Sequence, residues 1–217
     1  MYKIFNTKFL KTAFLYLILC LLICFAFGKY TSINEMMSLY LLEKIENYTG
    51  YIILISRLIL MFGIILILYQ DFTDLYGPRY IFINIRKISN KKYYVHILIK
   101  EVIYLIILSA INLLSQYISS GLYDELNLYL FASNFLNYMM FTFILFLLII
   151  VIGTFFSQQY IYYFLLVIAL IYMILFSNQQ FLSTLSYLNF NQSWLIIQIM
   201  IAFFLTYKVY KYQQTWR

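Results

Sequence analysis

The sequence predicts an all-α, polytopic membrane protein with six transmembrane helices, and three observations predict it. Of its 217 residues, 65% are hydrophobic and 11% charged, with a mean hydropathy of +0.85; a soluble domain carries about a quarter charged residues. Six apolar runs, near 12–28, 51–70, 96–119, 135–153, 160–176 and 194–210, reach or approach the roughly 20 helical residues that a hydrocarbon core requires. The cations alternate. Lys3, Lys8 and Lys11 precede the first run, a basic segment at 71–95 follows the second, and Lys208, Lys211 and Arg217 follow the sixth.

Lys and Arg resist translocation, so these three regions belong in the cytoplasm. The intervening connections carry Lys29 and Lys44 with Glu35, Glu43 and Glu46, then Asp124 and Glu125, then no charge over 177–193. The expectation is a single transmembrane domain over 1–217, multi-pass in the cell membrane, with both termini cytoplasmic. On this reading the net charge of +7 reflects orientation and attraction to anionic membrane lipids, not a nucleic-acid partner.

In chain order, the first run holds Cys20 and Cys24 one helical turn apart. That spacing disfavours a disulfide, so they read as small apolar core residues. The small residues Ala26 and Gly28 after a basic start imitate a signal-peptidase site, but an uncleaved first helix fits a chain that keeps returning to the membrane. Over 32–48, Ile33, Met36, Met37, Tyr40, Leu41 and Ile45 recur at helical spacing, with a capping box at Ser32 and Glu35. This predicts an amphipathic helix on the outer surface.

Arg57 stands in the outer half of the second run. A cation there either lines an internal path or snorkels to the headgroups or to Glu43 and Glu46. In the basic segment, Pro78 suits the first turn of a helix. Ile81, Ile85 and Ile88 then share one face, and Arg79 and Arg86 another. The same isoleucines also alternate as in a strand; a helix is preferred because a lone strand leaves backbone groups unpaired.

On the third run, Ser109, Asn112, Gln116 and Ser119 recur every three or four residues and form one polar stripe. Such a stripe turns inward, either to hydrogen-bond other helices or to line a transport path. Ser133, Asn134, Asn137 and Thr142 pose the same choice near the fourth run, and Gln198 in the sixth. His96, the lone histidine, reads as an interfacial polar residue, and Glu101 is expected to pair with Lys92 or Arg79. Gly153 and the Ser157-Gln158-Gln159 cluster separate the fourth run from the fifth.

Catalytic and metal signatures are missing. There is no H-E-x-x-H, G-x-S-x-G or G-x-x-x-x-G-K-[ST], so no catalytic or metal-ligating residue is predicted and the chain is not read as an enzyme. If ATP drives it, another chain binds the nucleotide.

The whole layout resembles the permease subunit of an ABC-2 type transporter. The matching local residues are Ile81–Ile88, then Ser89, Lys91 and Lys92, then Lys100 at the start of the third span. The basic-aromatic start from Tyr2 to Lys11 is similar to the family's interfacial helix. Departures are Asp71 and Asp74 in place of the commoner Glu, and Ile99 where a small residue is usual. The layout and the Tyr- and Ile-rich composition resemble those of several small six-helix proteins associated with peptide or lantibiotic export and immunity.

The resemblance implies a cytoplasmic coupling helix between the second and third spans, gripped by a cytosolic nucleotide-binding ATPase subunit. Arg79, Ile81, Ile85, Arg86, Lys87, Lys91 and Lys92 would make that contact. ATP would sit on the partner, with no cofactor on this chain. A homodimer, or a heterodimer with a similar permease, would form a path for a peptide-like or amphipathic substrate along Arg57, Ser109, Asn112, Gln116 and Asn137. The alternative is an ATP-independent membrane immunity or interaction protein that binds a toxin or peptide.

Overall fold

The computed structural model describes residues 7–27, 48–76, 90–119, 128–155, 158–176 and 192–215, and all of them are helical. The six helices are α1 (Thr7–Phe27), α2 (Tyr48–Tyr76), α3 (Asn90–Ser119), α4 (Leu128–Phe155), α5 (Gln158–Phe176) and α6 (Gln192–Thr215). Three apolar stretches are long enough to cross a membrane: Thr7–Ala26 in α1, Ile55–Thr73 in α2 and Tyr94–Gln116 in α3. Shorter apolar stretches occupy Tyr138–Gly153, Tyr160–Ile171 and Ile196–Lys208.

Every apolar run read from the sequence falls on a helix, and most of the helices overrun their runs. The largest difference is at the basic segment, where 71–76 continues α2 and 90–95 begins α3. The loop expected over 71–95 is therefore shorter at both ends. Hydropathy marks only the part of a helix that suits hydrocarbon, whereas backbone hydrogen bonding carries the helix on into polar surroundings. In the same way Thr7–Lys11, assigned to a separate interfacial helix, is the first part of α1. The expected outer amphipathic helix over 32–48 lies outside the described residues except for Tyr48, which begins α2. The expected coupling helix, with Arg79, Ile81, Ile85, Arg86 and Lys87, also lies outside them.

α2 and α4 are the centre of the bundle. α2 packs on α1, α3, α4 and α5, while α4 packs on α2, α3, α5 and α6. Their facing residues are fully enclosed, with Ile64, Ile65 and Leu68 of α2 against Phe146, Leu147 and Ile149 of α4 in one core that also takes Tyr104 and Leu108 of α3. α1 contributes a single stripe, Phe9, Ala13, Tyr16, Cys20 and Cys24, at helical spacing. Its opposite face exposes Phe14, Leu15, Leu22 and Phe25. α5 and α6 likewise expose large apolar side chains, including Leu166, Leu170, Met200 and Phe203. Helices apolar on the outside as well as the inside suit a lipid environment, because such patches are rare on soluble monomers.

Two close approaches set the spacing around α2. Gly63 admits the Tyr16 ring of α1, whose Cε2 would stand 3.2 Å from a Cβ at that position. The Tyr16 hydroxyl then donates to the Leu60 carbonyl at 3.0 Å. At Gly153 of α4, a Cβ would meet the Tyr69 hydroxyl at 2.6 Å.

Candidate functional site

Most of the buried polar groups among the described residues gather in two places. The first is where α1 to α4 meet along the stripe of α3. Ser109, Asn112, Ser115 and Gln116 are all buried. Asn112 Nδ2 donates to the Tyr138 hydroxyl of α4 at 3.1 Å, and its Oδ1 accepts from Gln116 Nε2 at 3.0 Å. Tyr138 is fixed in turn by its own helix, where Thr142 Oγ1 donates to the Tyr138 carbonyl at 2.7 Å. Ser115 folds back onto the Ile111 carbonyl at 2.9 Å, the local bond of a serine with no place in an apolar core. From α1, the Cys20 thiol lies against the Tyr16 hydroxyl. Both cysteines are buried, and neither forms a disulfide among the described residues.

Three of the five residues expected along a path thus share one stripe, and two of them are hydrogen-bonded to each other. The Ser109 hydroxyl is buried without a hydrogen bond among the described residues. Arg57 is half-buried, with Nε and Nη2 enclosed. Asn137 adjoins Tyr138 on α4, with its side chain outside the described ones. Gln198 of α6 is buried, and neither polar atom of its amide is hydrogen-bonded among the described residues.

The second gathering is charged and lies near the ends of α2 and α3 that flank the basic segment. Lys100 Nζ bonds Asp71 Oδ2 at 2.5 Å, and both side chains are largely enclosed. The same ammonium stands 4.6 Å from the centre of the Tyr104 ring, a cation–π contact. Tyr104 is stacked on Phe9 of α1, with centroids 3.4 Å apart. Glu101 is wholly buried beside this pair, and its charged neighbours among the described residues are Asp71 and Lys100; Arg79 and the Lys92 side chain, its expected partners, lie outside the described residues. A cleft lined by Lys8, Phe9, Thr12, Ile67, Gln70 and Asp71 opens beside the cluster between α1 and α2.

Sequence reasoning missed the Asp71–Lys100 pair because it placed Asp71 in a loop. The signal was present: an acid at the polar end of one apolar run and a base just inside the next are level when the two runs form a hairpin. His96 is exposed. The helical part of the expected ATPase contact, Lys91 and Lys92, falls on the first turn of α3, with side chains outside the described ones. Among the described residues no group of three His, Cys, Asp or Glu is placed to hold a metal ion. Compared with known proteins, the chain matches no family profile, no curated protein and no solved structure.

Proposed function

We propose that this chain is the membrane-spanning permease subunit of an ATP-driven transporter of the ABC-2 type. In this reading all six helices span the cell membrane, with both termini in the cytoplasm. A separate cytosolic ATPase grips the segment 78–92, and a peptide-like or amphipathic substrate moves along the polar face of α3. The protein acts as a homodimer or beside a similar permease.

The observation that carries the reading is the Asp71–Lys100 clamp. It joins the two helices that flank the basic segment, close to where they leave it. A load applied to that segment is then felt by α2 and α3 together rather than absorbed by one flexible end. α3 in turn carries the stripe that hydrogen-bonds α4 through Asn112 and Tyr138. ATP binding on the partner moves this unit only if it stabilises one arrangement of α2 and α3 over another. The charge asymmetry of the chain supports the sidedness.

Purification of the tagged chain in mild detergent tests the reading: a nucleotide-binding ATPase should co-purify in stoichiometric amount. Replacing Arg79, Ile85 or Arg86 should leave insertion intact and uncouple ATP hydrolysis from transport. Transport unchanged in all three variants would remove the coupling role. Sidedness has its own check. With Cys20 and Cys24 replaced, Arg79→Cys should resist a membrane-impermeant thiol reagent in intact cells and react after lysis.

A further inference from the structure

The cleft between α1 and α2, lined by Lys8, Phe9, Thr12, Ile67, Gln70 and Asp71, has no part in the transport reading. Its depth is set by the two helices. The apolar stretches Thr7–Ala26 and Ile55–Thr73 meet here at one end of the bundle, with Lys8 near the start of the first and Asp71 near the finish of the second. In a bilayer the cleft therefore lies where hydrocarbon gives way to headgroups. It holds both signs of charge: Lys8 is exposed at its rim, and the Asp71 carboxylate is largely enclosed. The space within is about 20 Å³, room for a water-sized group.

The surface that leads away from this cleft is amphiphilic. Lys8, Lys11, Leu15, Ile18, Leu22 and Phe25 follow one another at alternating steps of three and four residues, so they form one line along α1. All of them are exposed. Cations occupy the end beside the cleft, and apolar side chains occupy the rest. Leu15 to Phe25 covers about 15 Å at 1.5 Å per residue, the depth of one leaflet of a roughly 30 Å hydrocarbon core.

A phospholipid has these parts in this order. Its phosphate oxygens suit Lys8 and Lys11 through charge-assisted hydrogen bonds. Each ammonium has three donors, so a bond already made does not exclude a phosphate. Asp71 holds Lys100 through Oδ2, and a carboxylate has a second oxygen that accepts from further donors. The group that complements it is a cationic donor small enough for the cleft. A primary ammonium meets both conditions. A trimethylammonium has no N–H and is much larger than a water, and a headgroup without a cation sets its phosphate against the Asp71 carboxylate. We propose that this cleft binds a phospholipid with a primary-ammonium headgroup, the ammonium on Asp71, the phosphate on Lys8 and Lys11, and one acyl chain along the exposed line of α1. The site goes beyond the transport reading and needs only that α1 and α2 cross a bilayer.

The test is native mass spectrometry of the full chain in detergent. Dioleoyl phosphatidylethanolamine, its N-methylated series up to phosphatidylcholine, and phosphatidylglycerol are each added alone at equal concentration. Phosphatidylethanolamine should be retained as a single molecule about tenfold more tightly than phosphatidylcholine, the worth of one hydrogen bond to a charged group. Affinity should fall along the methylation series. Lys8→Glu combined with Lys11→Glu should weaken retention by about as much again and leave the melting temperature in lipid-free detergent unchanged. Equal retention of phosphatidylethanolamine and phosphatidylcholine would mean an ordinary lipid coat, and tighter retention of phosphatidylglycerol would mean that the cations act alone. Either result overturns the proposal, as does retention unchanged in the lysine variant. If that variant fails to fold, the methylation series on the wild type decides.

Discussion

Where α2 and α3 approach the basic segment, the enclosed polar groups are charged: Asp71, Lys100 and Glu101. Farther along the same two helices, where α1 and α4 join them, the enclosed groups are mostly neutral: Asn112, Gln116, Tyr138 and Thr142. In the neutral cluster each side chain both donates and accepts, so partners can be exchanged at small cost. In the charged cluster each group holds its neighbour in place, and removing one strands another. The first arrangement suits a face along which helices re-pair as they move. The second suits a joint that must not slip.

The largest expected effect comes from breaking the joint. Lys100→Met leaves Asp71 and Glu101 enclosed without their shared cation and should cost about 3–5 kcal/mol. The readout is the melting temperature and the yield of monodisperse protein in detergent. Replacing the acid as well, as Lys100→Met with Asp71→Asn, should recover much of that loss. Equal damage from the single and double variants would show that Lys100 matters for its packing on Tyr104 and not for its charge.

This joint also shows how far the sequence could be read. The apolar runs located the six described helices, because a long apolar run is a strong and local signal. The inward turn of Ser109, Asn112 and Gln116 followed from helical spacing, since only one stripe of α3 is polar. What could not be read was partnership. Tyr138 is one of 24 tyrosines, and nothing in its local sequence says that its hydroxyl meets Asn112 on another helix. Asp71 seemed to end its helix because charge was taken as a boundary, whereas α2 continues to Tyr76. The long-range register of two helices decides both cases, and hydropathy carries no register.

A smaller effect is expected in the neutral cluster. Asn112→Leu removes the bonds to Tyr138 and Gln116, and interhelical hydrogen bonds in membranes are worth about 0.6 to 1.7 kcal/mol. Stability measured by unfolding in mixed micelles should therefore fall by less than in Lys100→Met. A loss as large as that of the lysine variant would break the comparison, since the neutral cluster would then be as rigid as the charged one. Tyr16→Phe removes one hydroxyl from a carbonyl of α2 while keeping the ring against Gly63. About 0.6 kcal/mol is expected, with the bundle otherwise unchanged.

The smallest effect, and the one that sharpens the comparison most, is expected at Ser109. Its hydroxyl is enclosed by α3 and its neighbours but has no hydrogen bond among the described residues. A buried hydroxyl in that condition costs free energy relative to a methyl group. Ser109→Ala should therefore leave stability unchanged or raise it slightly, by less than the ~0.6 kcal/mol of an average interhelical bond. If the hydroxyl is kept for a passing substrate, transport should fall while stability does not. If stability falls with Ser109→Ala, the hydroxyl is bonded in the assembled protein and the stripe is packing along its whole length. If neither changes, Ser109 takes no part in a substrate face.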